Sequence, residues 1–100
     1  MPFVQIIEYQ TDQPDAVTAL GERMRAEMEA SGERPRFSRI MRLADRDRPD
    51  TYLTIIEFPS YEAAMENSQR PETDEMARQM AALCTGEPRY QNLDVQRTVP

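Results

Sequence analysis

Residues 54–60 read Thr-Ile-Ile-Glu-Phe-Pro-Ser, and residues 5–11 read Gln-Ile-Ile-Glu-Tyr-Gln-Thr; the two align at a constant offset of 49 positions. In both, a β-branched stretch ends in Ile-Ile-Glu-aromatic, and a hydroxyl-bearing residue follows just before a helical pattern. A split βαβ unit used twice produces such an echo, because each central strand feeds its own helix.

The flanking sequence fills in the rest of that unit. Residues 3–10 (FVQIIEYQ) read as a strand, broken by residues 11–14, where Asp12 is placed to cap the next helix and Asp15 to sit in its first turn. Over residues 14–31 the apolar side chains Val17, Leu20, Met24 and Met28 fall on one stripe, and Gly32 suits the stop. Residues 36–44 (RFSRIMRLA) predict a second strand. The charged run at 45–50, with Pro49, predicts an exposed hairpin turn, and residues 51–58 (TYLTIIEF) a third strand. Ser60 caps a helix over residues 61–69. Pro71, Glu72, Asp74 and Glu75 open a further helical segment that ends near Gly86. Residues 89–97 predict the last strand. The order β-α-β-β-α-β makes residues 1–100 one α+β domain of ferredoxin-like βαββαβ type, with a four-stranded antiparallel sheet.

The two central strands carry a second message in their faces. One face reads Phe3, Gln5, Ile7, Tyr9 and Tyr52, Thr54, Ile56, Phe58; the other reads Val4, Ile6, Glu8 and Leu53, Ile55, Glu57. A sheet with helices on one side and water on the other alternates more cleanly than this. Both faces are therefore expected to be covered, one by the helices and the other by a second copy of the chain, a homodimer closing an α/β barrel.

Composition excludes more than it suggests. The 18 acidic residues outnumber 12 basic ones, for a net charge of −6, which argues against nucleic acid as a partner. All the basic residues are Arg. The basic stretch Arg34, Arg36, Arg39, Arg42, Arg46, Arg48 reads as a solvated strand and turn flanked by acids. With no His there is no imidazole base, no Ser-His-Asp triad and no histidine-held haem or zinc; with no Lys there is no Schiff-base chemistry. The three scattered glycines form no dinucleotide fingerprint. Apolar runs fall far short of the roughly 20 residues needed to cross a bilayer, so no membrane association is expected. Residues 1–10 read as a strand rather than a leader, and the lone Cys84 matches the expectation of a reducing cytoplasm.

At residues 55–64, IIEFPSYEAA, and in its element order, the chain resembles the dimeric α/β-barrel superfamily, in particular its antibiotic-biosynthesis-monooxygenase-like group. The resemblance implies a ligand pocket between sheet and helices. It also implies chemistry among cofactor-independent monooxygenases, haem-degrading enzymes, small isomerases and proteins without activity. Phe58 stands where many members carry Trp, and there is no His for the members that use one. What carries over is a pocket for a small apolar or aromatic ligand, with Gln5 and Tyr9, Tyr52 and Phe58 as its residues and no cofactor or metal; the catalytic residues stay unassigned. Glu8 and Glu57 fall at opposite ends of an antiparallel pair and are expected to ion-pair with Arg39 or Arg42 rather than to act together. Cys84, near a helix C-terminus, reads as structural. Two functional classes remain open: a cofactor-independent monooxygenase acting on an aromatic or polyketide-like substrate, and a non-catalytic ligand-binding or structural homodimer.

Overall fold

The computed structural model describes residues 1–100. Its elements are β1 (Phe3–Gln10), α1 (Pro14–Ser31), β2 (Arg39–Ala44), β3 (Thr51–Phe58), α2 (Tyr61–Ser68), α3 (Pro71–Ala82) and β4 (Arg89–Asp94). The four strands form one antiparallel sheet in the order β2-β3-β1-β4. This is the split βαβ arrangement expected of the repeated stretch, with its two copies in the paired central strands. No helix is long and apolar enough to cross a membrane.

The echo is structural at its ends too. Ser60 accepts a hydrogen bond from the Ala63 N–H at 3.1 Å and caps α2. Its counterpart Thr11, fully buried, accepts from the Gln13 N–H at 3.0 Å and donates to the Leu83 carbonyl, while its own N–H reaches the Asp50 carbonyl at 3.0 Å. One residue thus ties β1 to the β2–β3 turn and to the end of α3. Asp12 does not cap α1 as expected. The cap position falls one residue later, on Gln13, whose side chain makes no capping bond, and Pro14 at the first helical position has no N–H to satisfy. Gly32 ends the helix in the left-handed conformation, φ 74°.

The edge strands are shorter than the sequence pattern. β2 begins at Arg39 because Phe37 turns onto the core formed by Phe3, Phe58 and Ala64. β4 ends at Asp94, the partner of Phe3, because β1 begins there; the Val95 N–H still reaches the Pro2 carbonyl at 3.0 Å, but Pro2 has no N–H to return the bond. The last helix stops at Ala82 rather than near Gly86; Thr85 instead donates its N–H to the Gln10 carbonyl at 2.8 Å.

Register assigns the faces. Cross-strand partners share a face, so the rows Phe3–Phe58, Gln5–Ile56, Ile7–Thr54 and Tyr9–Tyr52 look one way. Arg42, opposite Thr54, reaches the Val17 carbonyl of α1, which puts this face under the helices. The other face carries the rows Ile6–Ile55–Met41 and Glu8–Leu53–Leu43, with Val4 and Leu93 beside them. No helix covers it, and Leu43 and Leu93 remain 42% exposed. Its two glutamates are paired: Arg39 grips Glu57 with two bonds of 2.9 Å, and Arg48 reaches Glu8 at 3.2 Å, while Arg89, opposite Glu8, has no carboxylate partner. Arg39 is therefore the partner of Glu57, while Arg42, on the other face, pairs with neither glutamate.

Only nine of the 100 residues are buried. The accessible surface is 7188 Å². A compact monomer of this mass exposes about 5,800 Å², so the isolated chain carries roughly 1,300 Å² more than its size requires.

Candidate functional site

β1 and β3 bring Tyr9 and Tyr52 side by side at one end of the helix-covered face. Their rings stack with centroids 5.8 Å apart and planes 23° from parallel. Above them the first two turns of α1 contribute Pro14, Val17 and Thr18, and the edge strand contributes Arg42 and Ala44. Together they enclose a cavity of about 210 Å³, partly open to solvent. An engineered apolar cavity of about 150 Å³ holds benzene, so this one has room for a bicyclic aromatic core. Its walls are apolar and aromatic with a few polar groups, the usual make-up of a small-molecule site. A larger hollow of about 590 Å³ lies between α1 and α3, but its walls are Arg23, Glu27, Glu72, Glu75 and Gln79, with Met24 the one apolar residue besides Pro71. It is a solvated groove between helices.

The four residues singled out in the sequence share this face, but only two meet at the cavity. Tyr9 and Tyr52 line it. Gln5 sits two rows away, where its side-chain amide donates to Asn92 at 3.1 Å. Phe58 lies at the far end of the sheet, six residues or about 20 Å of strand from Tyr52. It is 2% exposed and packs on Phe3, whose ring is 6.5 Å away, and on Ala64. Asn92 is thus a hydrogen-bond partner of Gln5 rather than a wall of the cavity. Arg42, Thr11 and Thr18 are cavity residues that were not picked out from sequence. The parity of β2 could have found Arg42, since Arg39 and Arg42 must point to opposite faces of a strand.

Burial pushes the Tyr9 phenol above its ordinary value of 10.0, with Cys84 and Tyr52 adding to the rise. The Thr54 hydrogen bond and the Arg42 guanidinium pull the other way without overcoming it. Tyr9 is therefore a neutral phenol near pH 7, a donor rather than a base. Burial also pushes the Cys84 thiol up, and its sulfur donates to the Met80 carbonyl at 3.2 Å, so it too stays protonated. No carboxylate lines the cavity; Glu8 and Glu57 lie on the opposite face, at opposite ends and held by arginines. No group of three or more His, Cys, Asp or Glu is arranged to hold a metal. The site can hold a flat molecule, donate hydrogen bonds to its oxygens and offset negative charge on it. It contains no group suited to removing a proton.

Solved structures share this architecture. SnoaB, a cofactor-independent oxygenase from Streptomyces nogalater, superposes with a TM-score of 0.78 at 19% identity, over 99% of this chain and 97% of that one. Rv0793 from Mycobacterium tuberculosis matches over 100% of both chains with a TM-score of 0.72 and 17% identity. A protein named antibiotic biosynthesis monooxygenase matches over 100% of both with a TM-score of 0.70 and 17% identity. The chain has the fold of the antibiotic-biosynthesis-monooxygenase-like proteins. At these identities the likeness concerns backbone architecture, and the chemistry has to be argued from this chain's own residues. No family model matches the sequence, and no curated protein does.

Proposed function

We propose that two copies of this chain pair through their uncovered sheet faces, and that each holds a flat, electron-rich aromatic molecule against Tyr9 and Tyr52 and oxidises it with O₂, without a cofactor. The observation that carries the reading is the aromatic cavity under α1, on the fold of a neighbour named as a cofactor-independent oxygenase. Pairing is supported by the surplus of exposed surface and by an apolar centre, Ile6–Ile55–Met41, flanked by the ion pairs Arg39–Glu57 and Arg48–Glu8.

Since the cavity holds no base, the substrate must be a carbon acid that ionises readily, its proton leaving to water. The carbanion passes one electron to O₂ and recombines with the superoxide formed, giving a hydroperoxide once a proton returns. Loss of water then leaves a carbonyl, so a CH₂ group and O₂ become C=O and H₂O. The substrate supplies the electrons, and the protein supplies orientation and a dry, donor-lined wall. Tyr9 would donate to the developing oxyanion, and Tyr52 would hold the ring by stacking.

The test uses anthrone, a tricyclic carbon acid whose third ring would extend through the open side of the cavity, with dissolved O₂ followed by an electrode and labelled O₂ by mass spectrometry. One O₂ consumed per anthrone, with one labelled oxygen in the product, is the expected result. Y9F should slow turnover at least about tenfold at unchanged melting temperature. The lack of any base favours a second reading, a ligand-binding homodimer without activity. Binding of naphthalene-sized aromatics with no oxygen uptake would select it.

A further inference from the structure

Gly21 stands in the middle of α1, where glycine costs about 1 kcal/mol relative to alanine. No positive φ explains it, for Gly32 is the only glycine of the chain with one. What explains it is the space above its Cα. A Cβ there would overlap the guanidinium of Arg42 and come within 2.5 Å of its Cζ and Nη1 atoms. The missing side chain forms a notch in the helix, one turn on from Val17, and Arg42 lies in it.

The guanidinium so seated has little to hold. Its single hydrogen bond goes to the Val17 carbonyl at 3.4 Å, and no carboxylate lies within ion-pair distance of it. Three other arginines of the same stretch are committed: Arg36 to Glu66, Arg39 to Glu57, Arg48 to Asp45 and Glu8. Arg23, Arg34, Arg46, Arg89 and Arg97 also lack a carboxylate, but none of them lines the cavity. In a chain of net charge −6, the arginine at the aromatic cavity is left with its fork of donors unspent.

We infer that Arg42, seated by Gly21, is the oxyanion-recognising residue of the Tyr9–Tyr52 cavity, and that the ligand is a planar aromatic bearing an ionised oxygen. This rests on the pocket reading above and deepens it. Stacked rings take the flat face of the molecule, and the guanidinium takes the negative oxygen at its edge. The notch holds the guanidinium beside the cavity, so less side-chain freedom is lost when the anion binds. An enolate or phenolate and a carboxylate present the same oxyanion, and the probes below separate them.

Binding is measured by calorimetry on the full chain, with three probes built on one naphthalene core: 2-naphthoate, 2,4-dinitro-1-naphtholate and the neutral 2-naphthylmethanol. Wild type should bind at least one anion roughly tenfold or more tightly than the alcohol, and the preferred anion names the oxyanion type. R42Q should abolish that preference while leaving the alcohol's affinity unchanged. G21A should also weaken the anion, because its methyl group displaces the guanidinium, yet it should melt no lower than wild type because alanine is the better helix former. This pair separates the role from simple folding damage. Equal binding of anions and alcohol by wild type, or anion binding unchanged in both R42Q and G21A, overturns the role of Arg42 and leaves the pocket intact. Failure of wild type to bind any of the three removes the pocket, and this inference with it.

Discussion

Replacing Ile55 with glutamate should separate the proposed dimer without unfolding the protomer. Ile55 is the centre of the uncovered face, flanked across the sheet by Ile6 on β1 and Met41 on β2. In the isolated chain it is only partly buried, so the new carboxylate stays in water. The cost there is a lost cross-strand apolar pair and a weaker strand former, about 1 kcal/mol or less. In a two-fold dimer the same residue enters twice. Each buried, unpaired carboxylate costs several kcal/mol, so the dissociation constant should rise by at least about a thousandfold. The flanking pairs commit Arg39 to Glu57 and Arg48 to Glu8, and the free arginine of this face, Arg89 opposite Glu8, lies on β4, two strands away from Ile55. Light scattering behind size exclusion, run across a range of protein concentrations, reads the result directly. Wild type should elute at twice 11.6 kDa and I55E at once that mass, with unchanged far-ultraviolet dichroism. The dimer should also melt at a temperature that rises with concentration, and the variant should not. A wild type that is monomeric at high micromolar concentration would refute the reasoning from the exposed surface. A folded I55E that remains dimeric would place the interface elsewhere.

Other expectations follow from the core and the titrating groups. Phe58→Ala removes the most deeply buried ring of the chain and should cost about 3–5 kcal/mol in urea unfolding; a much smaller loss would mean that Phe58 is a pocket wall with space beside it. Thr11→Val keeps the shape but strands the Gln13 N–H, and should cost about 1–3 kcal/mol by the same measurement. Hydrogen bonds from Arg39 hold Glu57 below its ordinary 4.5, so the folded state favours the ionised form. Stability should therefore fall as pH drops from about 4.5 through the lowered folded value, and Glu57→Gln should flatten that part of the profile. Burial raises Tyr9 above 10.0, so the folded state favours the neutral phenol and stability should fall as pH climbs from 10 through the raised value. Tyr9→Phe should lessen that alkaline loss in denaturant titrations at successive pH values.

The central strands were legible in the sequence residue for residue. Runs such as FVQIIEYQ and TYLTIIEF combine β-branched side chains with turn residues at both ends, and tertiary packing agrees with that local preference. The edge strands and the last helix were read too long because their ends depend on partners distant in sequence. β4 stops where β1 begins, and β2 starts only after Phe37 has turned to the core. Asp12 looked like a cap, but the Thr11 hydroxyl, fixed by contacts to residues 50 and 83, turns the chain at the Gln13 N–H and the helix begins one residue later, with Gln13 at the cap position. The shared face of Tyr9 and Tyr52 was legible from strand parity, whereas their meeting at one cavity needed the register. Arg42 was hidden among six arginines at similar spacing. Its signal was split between two distant positions, the parity of β2 and an interior helical glycine without a conformational reason.

The placement of the acids bears on the kind of chemistry this fold can run. A charged carboxylate inside the aromatic cavity would face the seated Arg42 and neutralise it. The chain puts its strand glutamates on the other face, each paired with an arginine at a flank of the apolar patch. The cavity then has a cation and phenols but no base, an arrangement that stabilises an anion once formed and does nothing to form it. Such a site selects substrates by their own acidity: a molecule ionised near neutral pH gains from Arg42, and a weaker acid gains little. The rate of oxygen uptake across a series of anthrones should accordingly track the ionised fraction of each in solution. A rate independent of substrate acidity would require a base that the cavity walls do not contain, and would move the site away from Tyr9 and Tyr52.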